Sequence, residues 1–557
     1  MSELQQQRTY DDSMFRDTFE HEYTWTNGFL RNVVRYADKA ALIDPDTDRK
    51  WTYSQLNAEV NRLSSKLKKC GIGHGDVVMC ALRNCPEFAF SYIAPRKIGG
   101  IFLAANYNLS ASEMALLIDA NEPKVVIYSA CVVSVMKEAA ELCNFKPSYF
   151  VLADNIERAE TPLHHVAYED FVCGEDESEP VIDFRRHIYD EAVRLCTSGT
   201  TAVQKNVPIN EINEVLTAHD VIMHYPMNCN DVTMNMTPWF HRGGCHSGGI
   251  CPSFYIGAAV VVMRIFKPHA ALEWVSRYGI TFLMGAPANL EMLCRAQTGQ
   301  KSDLSALRGI VTMGAPLLKD NCIRFMQVLT PNIFNGYGTT ETFWNSFLKP
   351  EHLPENAGSV GLSCTDDEVR VIKMSDDRRI EPDDVVPRDG VTEGEIIVRS
   401  PAKSTYTYYK NPEASAARFY KGWMYTGDTG TWNKNSIVTV SGRKDDMMVV
   451  SGENIYPSQV EEAINSFEKV RDTLVTSIPD AVRGEVVVAY VIPEDKSLTV
   501  SELFACCNDC KVLSRYKKPR YFAIVDDFPR TATGKKRNSI MKKQALKDFK
   551  NGVLRKD

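Results

Sequence analysis

The sequence predicts an α/β protein: a large N-terminal domain of α/β layered subdomains with a β-rich subdomain, then a small α+β C-terminal domain. Three observations lead there. Helix-period and strand-period stretches alternate from Trp51 to Met313, as in layered sheets of largely parallel strands. From about Gly358, short strands punctuated by Gly, Asp and Pro replace that alternation. Beyond about Asp445, a helix–strand–strand–helix–strand unit closes the chain.

The elements follow in order. Trp51-Thr52-Tyr53-Ser54 opens an amphipathic helix with Leu56, Val60, Leu63 and Leu67 on one face, stopped by Gly71. The apolar run 77–82 reads as a buried strand. Helices are expected over 87–98 and 110–118, and strands over 124–128 and 149–152. A strand over 192–196 leads into a loop of small residues. Beyond that loop a strand (258–263), a helix (270–278) and two strands (280–284 and 310–313) repeat the pattern. The last two strands end in Gly285-Ala286-Pro287 and Gly314-Ala315-Pro316, at carboxyl ends, where ligands of such sheets collect. Strands over 368–372, 395–398 and 436–440 form the β-rich part. The closing unit has helices over 458–467 and 501–513 and strands over 473–478, 486–492 and 521–525. Ser458 and Glu461 stand at capping-box spacing.

Composition bounds the function. The 557 residues are 44% hydrophobic and 24% charged, as in a soluble globular protein. The net charge of −7, from 64 basic and 71 acidic residues, gives no electrostatic case for nucleic acid or an anionic membrane. The polar N-terminus carries no secretory signal, and no apolar run approaches the ~18 residues of a transmembrane helix. Sixteen scattered cysteines suit a reducing compartment, so the expected location is cytoplasmic. Cys507 and Cys510, the one C-x-x-C, read as packing or surface thiols.

Six stretches carry chemistry. In Thr197-Ser198-Gly199-Thr200-Thr201, with Lys205 four residues on, hydroxyls, backbone N–H groups and one cation can surround a polyphosphate. An ordinary Ser/Thr turn is the alternative. In Asn335-Gly336-Tyr337-Gly338-Thr339-Thr340-Glu341, a tyrosine between glycines can face a purine and the glutamate can hold Mg²⁺. A glycine turn capping a helix at Thr339 or Thr340 fits equally. Asp428, after Thr426-Gly427, can accept two ribose hydroxyls or close an Asx turn. Gly442-Arg443-Lys444-Asp445-Asp446 can bind phosphate or ribose, or be a solvated linker. Lys535, after Gly534, can reach an anionic transition state or belong to a basic tail. In Trp239-Phe240-His241-Arg242-Gly243-Gly244-Cys245-His246 the two histidines lack a nearby carboxylate. They suit an aromatic-lined gate better than a metal, and Arg242 either pairs with a polar substrate group or is solvated.

In their order along nearly the whole chain, with the Ser/Thr loop first and the aromatic–His stretch next, these stretches resemble the adenylate-forming enzymes, and among them the acyl- and aryl-CoA synthetases. Gly394-Glu395-Ile396, Gly422-Trp423-Met424, Pro479-Asp480 and Tyr516-Lys517-Lys518-Pro519 match as well. The resemblance implies a two-step reaction. A carboxylate attacks the α-phosphate of Mg·ATP to give an acyl-adenylate and pyrophosphate, and a thiol, usually that of coenzyme A, then displaces AMP. It implies a mobile C-terminal domain over 447–557, which turns on a hinge over 442–446, at Asp445, against a domain over 1–441. By the same resemblance, Thr197, Ser198, Gly199, Thr200, Thr201 and Lys205 hold the β- and γ-phosphates. Gly314, Ala315 and Pro316, with Asn335, Gly336 and Tyr337, hold adenine; Gly338 and Thr339 continue that ATP-binding turn. Thr340 contacts the α-phosphate, Glu341 the magnesium, and Asp428 and Arg443 the ribose. Lys535 stabilises the charge built up during adenylation. His241, Gly285, Gly314 and Trp344 wall the acid pocket, with Arg242 and His246 leaving room for a polar group. Ser451, Gly452 and Glu453 line the thiol approach. His241, Thr340, Glu341 and Lys535 are the expected catalytic set.

Three departures stand out. Ala202, Gln204 and Asn206 replace the usual Gly, Pro and Gly of the phosphate loop. Ser451 stands where a second glycine is common, and Thr407-Tyr408-Tyr409 replaces Gly-Tyr-Tyr. The expected partners are a small-molecule carboxylic acid and coenzyme A, with room for a homodimer and no nucleic acid. A carrier-protein thiol as acceptor, or a non-catalytic nucleotide- or acyl-binding homologue, are the alternatives.

Overall fold

The computed structural model describes residues 10–197, 204–375, 378–446, 448–450, 453–455, 457–480, 484–510, 513, 517–530 and 536–556. Two large sheets dominate it. The seven-stranded sheet runs Val166–Ala167, Tyr149–Ala153, Val125–Ser129, Val77–Ala81, Ile101–Ala104, Glu191–Thr197, Lys205–Asn210. All neighbours are parallel except the last pair, a hairpin. Val77–Ala81 and Val125–Ser129 are buried at every position, as strands covered on both faces must be. The nine-stranded sheet is parallel from Ile333–Thr339 through Gly309–Met313, Phe282–Gly285, Val232–Asn235 and Ala259–Val261 to Ala40–Asp44. Antiparallel strands close both of its edges.

The helix Tyr53–Lys69 starts on a Thr52–Gln55 capping box and buries Leu56, Val60, Leu63 and Leu67, the face read from the sequence. Pro86–Lys97 is buried along its whole length. That is why it carries no apolar stripe, and why its two cations must be paired. Arg96 reaches Glu211 at 3.1 Å and Lys97 reaches Glu179 at 2.8 Å. A chain of buried charges knits the two sheets at their strand ends. Arg264 holds Asp44 (2.9 Å) and Asp154 (2.8 Å), and Arg83 takes the other oxygen of Asp154 (3.0 Å).

The β-rich part is a sheet of Glu368–Ile372, Gly394–Arg399, Trp423–Trp432, Phe419–Tyr420 and Val438–Arg443. The strand expected over 436–440 therefore runs on to Arg443. The last sheet joins Glu453–Ile455, Met448–Val450, Gly484–Pro493, Val470–Asp480 and Tyr521–Ile524. Val460, Ile464, Val475, Val487 and Phe522 form its core with the flanking helices.

Some sequence expectations shift. The strand expected over 258–263 is only Ala259–Val261, and the helix expected over 501–513 ends at Asp509. The Ser458–Glu461 capping box is not formed. The helix begins at Pro457, and Glu461 accepts the Val475 N–H at 2.8 Å instead. Cys507 is buried and Cys510 half-buried, and both thiols are free. Among the described residues, no helix is long and apolar enough to cross a membrane.

Candidate active site

The small-residue loop joins two antiparallel strands, with Thr197 and Lys205 paired at its stem. The Thr197 hydroxyl donates to the Lys205 carbonyl at 3.4 Å. Ser198, Gly199, Thr200 and Thr201 lie outside the described residues, as does Ala202. Lys205 projects its ammonium over the Tyr408 ring, 5.2 Å from the centroid. The Tyr408 hydroxyl donates to Glu341 Oε1 at 2.5 Å. Tyr409 donates its N–H to the Asn206 carbonyl at 2.9 Å. The Thr407-Tyr408-Tyr409 segment thus sits between the stem of the loop and Glu341. Sequence reasoning missed this link; the tyrosines lie about two hundred residues beyond the loop, and no local period marks the contact.

At the carboxyl ends of the nine-stranded sheet, Gly314 follows Met313 with φ +82°, a conformation that favours glycine. Gly336 lies flat on the indole of Trp344: a Cβ there would stand 2.5 Å from Nε1. Trp344 is buried, with Phe343 and Phe347 against it at 4.7 and 4.5 Å. Asn335 is buried and donates to the Ser359 carbonyl at 3.2 Å. No helix starts at Thr339. That residue ends a strand, and Thr340, Glu341 and Thr342 turn the chain back into Phe343–Leu348, with an irregular register at Tyr337/Gly338. Glu341 is buried.

The Tyr337 hydroxyl donates to Asp428 Oδ2 at 2.7 Å. Arg443 donates to Asp428 Oδ1 at 2.7 Å and to the Thr426 carbonyl at 3.1 Å. Asp428 and Arg443 are direct cross-strand partners. Both Asp428 oxygens are thus engaged by these partners rather than by an Asx turn, while the Arg443 side chain stays 42% exposed. Burial, and next the Asp428 charge, push the Tyr337 hydroxyl well above its ordinary pKa, so it stays a donor.

The aromatic stretch lies on a polar frame. The Asn84 side chain accepts the Trp239 N–H (2.7 Å) and donates to the Thr237 carbonyl (3.0 Å). The Asn235 amide donates to the carbonyls of Gly243, Gly244 and Ser247. His241 is half-buried at the start of the short helix Arg242–His246, its ring 4.2 Å from that of Phe240. A Cβ on Gly243 would stand 3.4 Å from the sulfur of Met313, which brings this helix beside Gly314. Gly285 is buried beside Met236 and Asn289.

Two expectations here are corrected. Arg242 is neither solvated nor open to a substrate group. It is 3% exposed and donates to the carbonyls of Thr340 (2.7 Å) and Lys403 (2.8 Å). His246 is fully buried, with Nε2 2.5 Å from Glu214 Oε1. Its carboxylate comes from a distant helix, which spacing within the stretch could not show. Glu214, His246 and Cys251 lie within 4.8 Å of one another, but Arg96 already stands 3.2 Å from Glu214. Burial pushes the Glu214 carboxyl up, yet His246 and Arg96 outweigh it and hold it down at about 2. These groups form a buried ionic cluster.

In the C-terminal part, Ser451, Gly452 and Lys535 lie outside the described residues. Asp445 falls in the short turn Lys444–Asp446 and Glu453 in the strand Glu453–Ile455; their side chains are likewise outside the description. Either side of Lys535, Arg530 and Lys536 both bind Asp472, at 2.6 and 2.8 Å, a clamp the sequence did not announce.

Residues 29–409 match the family described as AMP-binding enzyme, and residues 459–535 match the AMP-binding enzyme C-terminal domain. The chain is 30% identical to an indoleacetate–CoA ligase of Aromatoleum aromaticum over 92% of its own length and 96% of that protein. It is 28% identical to a 4-chlorobenzoate–CoA ligase of Arthrobacter sp, over 90% and 91%. In fold it is similar to the anthranilate CoA ligase AuaEII in complex with anthranoyl-AMP (TM-score 0.84, 23% identity, 95% of this chain and 98% of that one). It is also similar to ATP-bound MatB from Rhodopseudomonas palustris (TM-score 0.82, 24% identity, 94% and 99%).

Proposed function

The chain belongs to the AMP-binding enzyme family, and from that premise we propose that it is an AMP-forming acid–CoA ligase. The observation that carries the reading is the Tyr337–Asp428–Arg443 constellation beside the Glu341 turn. It gathers a ring, a charged acceptor and a cation from distant parts of the chain, next to a metal-competent carboxylate.

In the first step a carboxylate oxygen of the acid attacks the α-phosphorus of ATP. The bond to the β-phosphate oxygen breaks, and pyrophosphate leaves with the electron pair. Asp428 accepts the ribose hydroxyls, Tyr337 faces the adenine, and Thr340 with Glu341 receives the α-phosphate region. Lys205 and the hydroxyl loop hold the outer phosphates, and Lys535 stabilises the charge on the reacting oxygens. Glu341 suits Mg²⁺ because that ion prefers one or two carboxylates alongside phosphate oxygens; when bound, the ion neutralises phosphate charge. In the second step the CoA thiolate attacks the acyl carbon and AMP departs. Ser451, Gly452 and Glu453 line that approach after residues 447–557 turn about 442–446, at Asp445.

The acid is proposed to be aryl or otherwise apolar, bound beside His241, Gly285, Gly314 and Trp344. Two observations support this: Arg242 and His246, the cations that would attract a second polar group, are committed elsewhere, and Trp239, Phe240, Met284 and Met313 are apolar and buried. The test is pyrophosphate release with Mg·ATP over aliphatic, aryl and polar acids, with and without CoA. Turnover that needs an aryl or apolar acid together with CoA is the expected result. Release without CoA turnover would overturn the acceptor, and silence across the panel would overturn the reaction.

A further inference from the structure

Arg242 is a costly residue to bury. Its guanidinium donates to two main-chain carbonyls and, at 3.4 Å, to the Thr217 hydroxyl, and its Nε is buried without a hydrogen-bond partner. Burial pulls its pKa down to about 10, the charges of Glu214 and Glu341 only partly offsetting the lost hydration. Two neutral carbonyls do not require a cation, so the choice of arginine calls for a reason.

The reason lies in what those carbonyls belong to. One is that of Thr340, the residue before Glu341. The other is that of Lys403, whose ammonium holds Asp220 (2.8 Å), Asp367 (2.9 Å) and the Trp344 carbonyl (2.7 Å). Asp367 accepts from Asn345 at 3.0 Å, and Asn345 accepts the Thr342 hydroxyl at 2.7 Å. Both ends of the Thr340–Glu341–Thr342 turn are therefore tied to one buried polar hub. The turn needs such ties: Phe343, directly after it, has φ +59°, a strained conformation for a bulky side chain. The Arg242 guanidinium stands 5.7 Å from the Phe343 ring, and Tyr408 holds the carboxylate of Glu341 from its own side.

We infer that Arg242 is a positioning residue for Mg·ATP: it sets the Thr340–Glu341 turn in its metal-binding shape before the nucleotide arrives. The inference rests on the preceding reading of Glu341 as the magnesium carboxylate. It also joins the acid pocket to the nucleotide turn, because Arg242 directly follows His241 in the chain.

The test is binding of α,β-methylene-ATP to the full chain by calorimetry, over a series of Mg²⁺ concentrations and without Mg²⁺. R242Q and R242M should raise the half-saturating Mg²⁺ roughly 10- to 100-fold, the scale at which partners of a metal ligand act. Metal-free nucleotide binding should stay within about twofold, as for a change remote from the base and ribose contacts. R242K should show a smaller rise, since one ammonium keeps the charge and can still reach one of the two carbonyls. T342V releases the other end of the same turn and should act in the same direction, which keeps the test open where an Arg242 variant does not fold. An unchanged Mg²⁺ requirement in a cooperatively folded variant overturns the inference. So does an equal fall of metal-free and metal-bound affinity, which is what a general packing defect gives. If the wild-type chain shows no Mg²⁺-dependent nucleotide binding, the reading of Glu341 falls first and the inference with it.

Discussion

Asp428→Asn is the most direct probe of the proposed nucleotide site. The substitution keeps the shape of the side chain and removes its charge. Oδ1 now faces Arg443 and Oδ2 faces Tyr337, each at 2.7 Å, so two ribose hydroxyls would share the remaining lone pairs. A hydrogen bond to a charged acceptor is worth about 1.5–3 kcal/mol net and a neutral one about 1 kcal/mol. Losing about 1 kcal/mol at each of two hydroxyls gives about 2 kcal/mol, or roughly 30-fold in KM for ATP. The fold should notice far less. The Arg443 side chain is 42% exposed, so its pair with Asp428 is screened and contributes under about 1 kcal/mol to stability. Pyrophosphate release at varied ATP, with an accepted acid saturating, reads the first effect; thermal unfolding reads the second. A KM within about twofold of wild type would refute Asp428 as a ribose acceptor. A collapse in Tm matching the loss of activity would refute the claim that the residue serves binding more than folding.

Three further outcomes are expected. Lys403→Met strands Asp220 and Asp367 in the interior and should cost about 3–5 kcal/mol in urea unfolding, the price of a buried charge left alone; wild-type stability would show the hub to be dispensable. Burial raises the Glu87 carboxyl from 4.5 to about 7, so the folded state binds its proton more tightly than the unfolded chain does. Its contribution is complete below pH 4.5 and is lost as pH rises through 7, about 3 kcal/mol in all. Glu87→Gln should flatten that decline in denaturation curves between pH 4.5 and 8, and an unchanged slope would assign the decline to other groups. Lys535→Ala should cripple adenylation while leaving thioester formation from a supplied acyl-adenylate largely intact, and equal loss of both half-reactions would remove its assigned role.

Much of the fold was legible because it rests on local signals. The stripe Leu56, Val60, Leu63 and Leu67, and the runs Val77–Ala81 and Gly309–Met313, announce their elements by period and composition. Within the site, short-range motifs were equally visible, since Gly336 and Tyr337 stand next to Glu341 in the chain. What stayed hidden are contacts across sequence distance. Arg242 reads as a partner for a polar substrate group or as a solvated cation until the fold lays it under Thr340, and His246 seems to lack a carboxylate until Glu214 arrives from another helix. Thr407-Tyr408-Tyr409 stood out only for Thr407 in place of a glycine, yet its Tyr408 bridges the stem of the small-residue loop and Glu341. Neither periodicity nor spacing encodes such meetings; the topology of the sheets makes them.

The way the two large sheets share the chain also dictates an order of assembly. The seven-stranded sheet draws all its strands from 77 to 210 and can close as soon as that stretch has been made. The nine-stranded sheet cannot, for Leu42 pairs with Val260 and Ile43 with Val261. On a growing chain, at about 5–20 residues per second, Ala40–Asp44 waits roughly 10–40 s for its parallel neighbour. During that interval its only sheet partner is the antiparallel strand Arg49–Thr52; its other edge stays open, and Asp44 waits for an Arg264 that does not yet exist. The strands of the first sheet thus lie in the chain as an insertion between the two parts of the second, and the open edge of the early hairpin is what stands exposed while they are made.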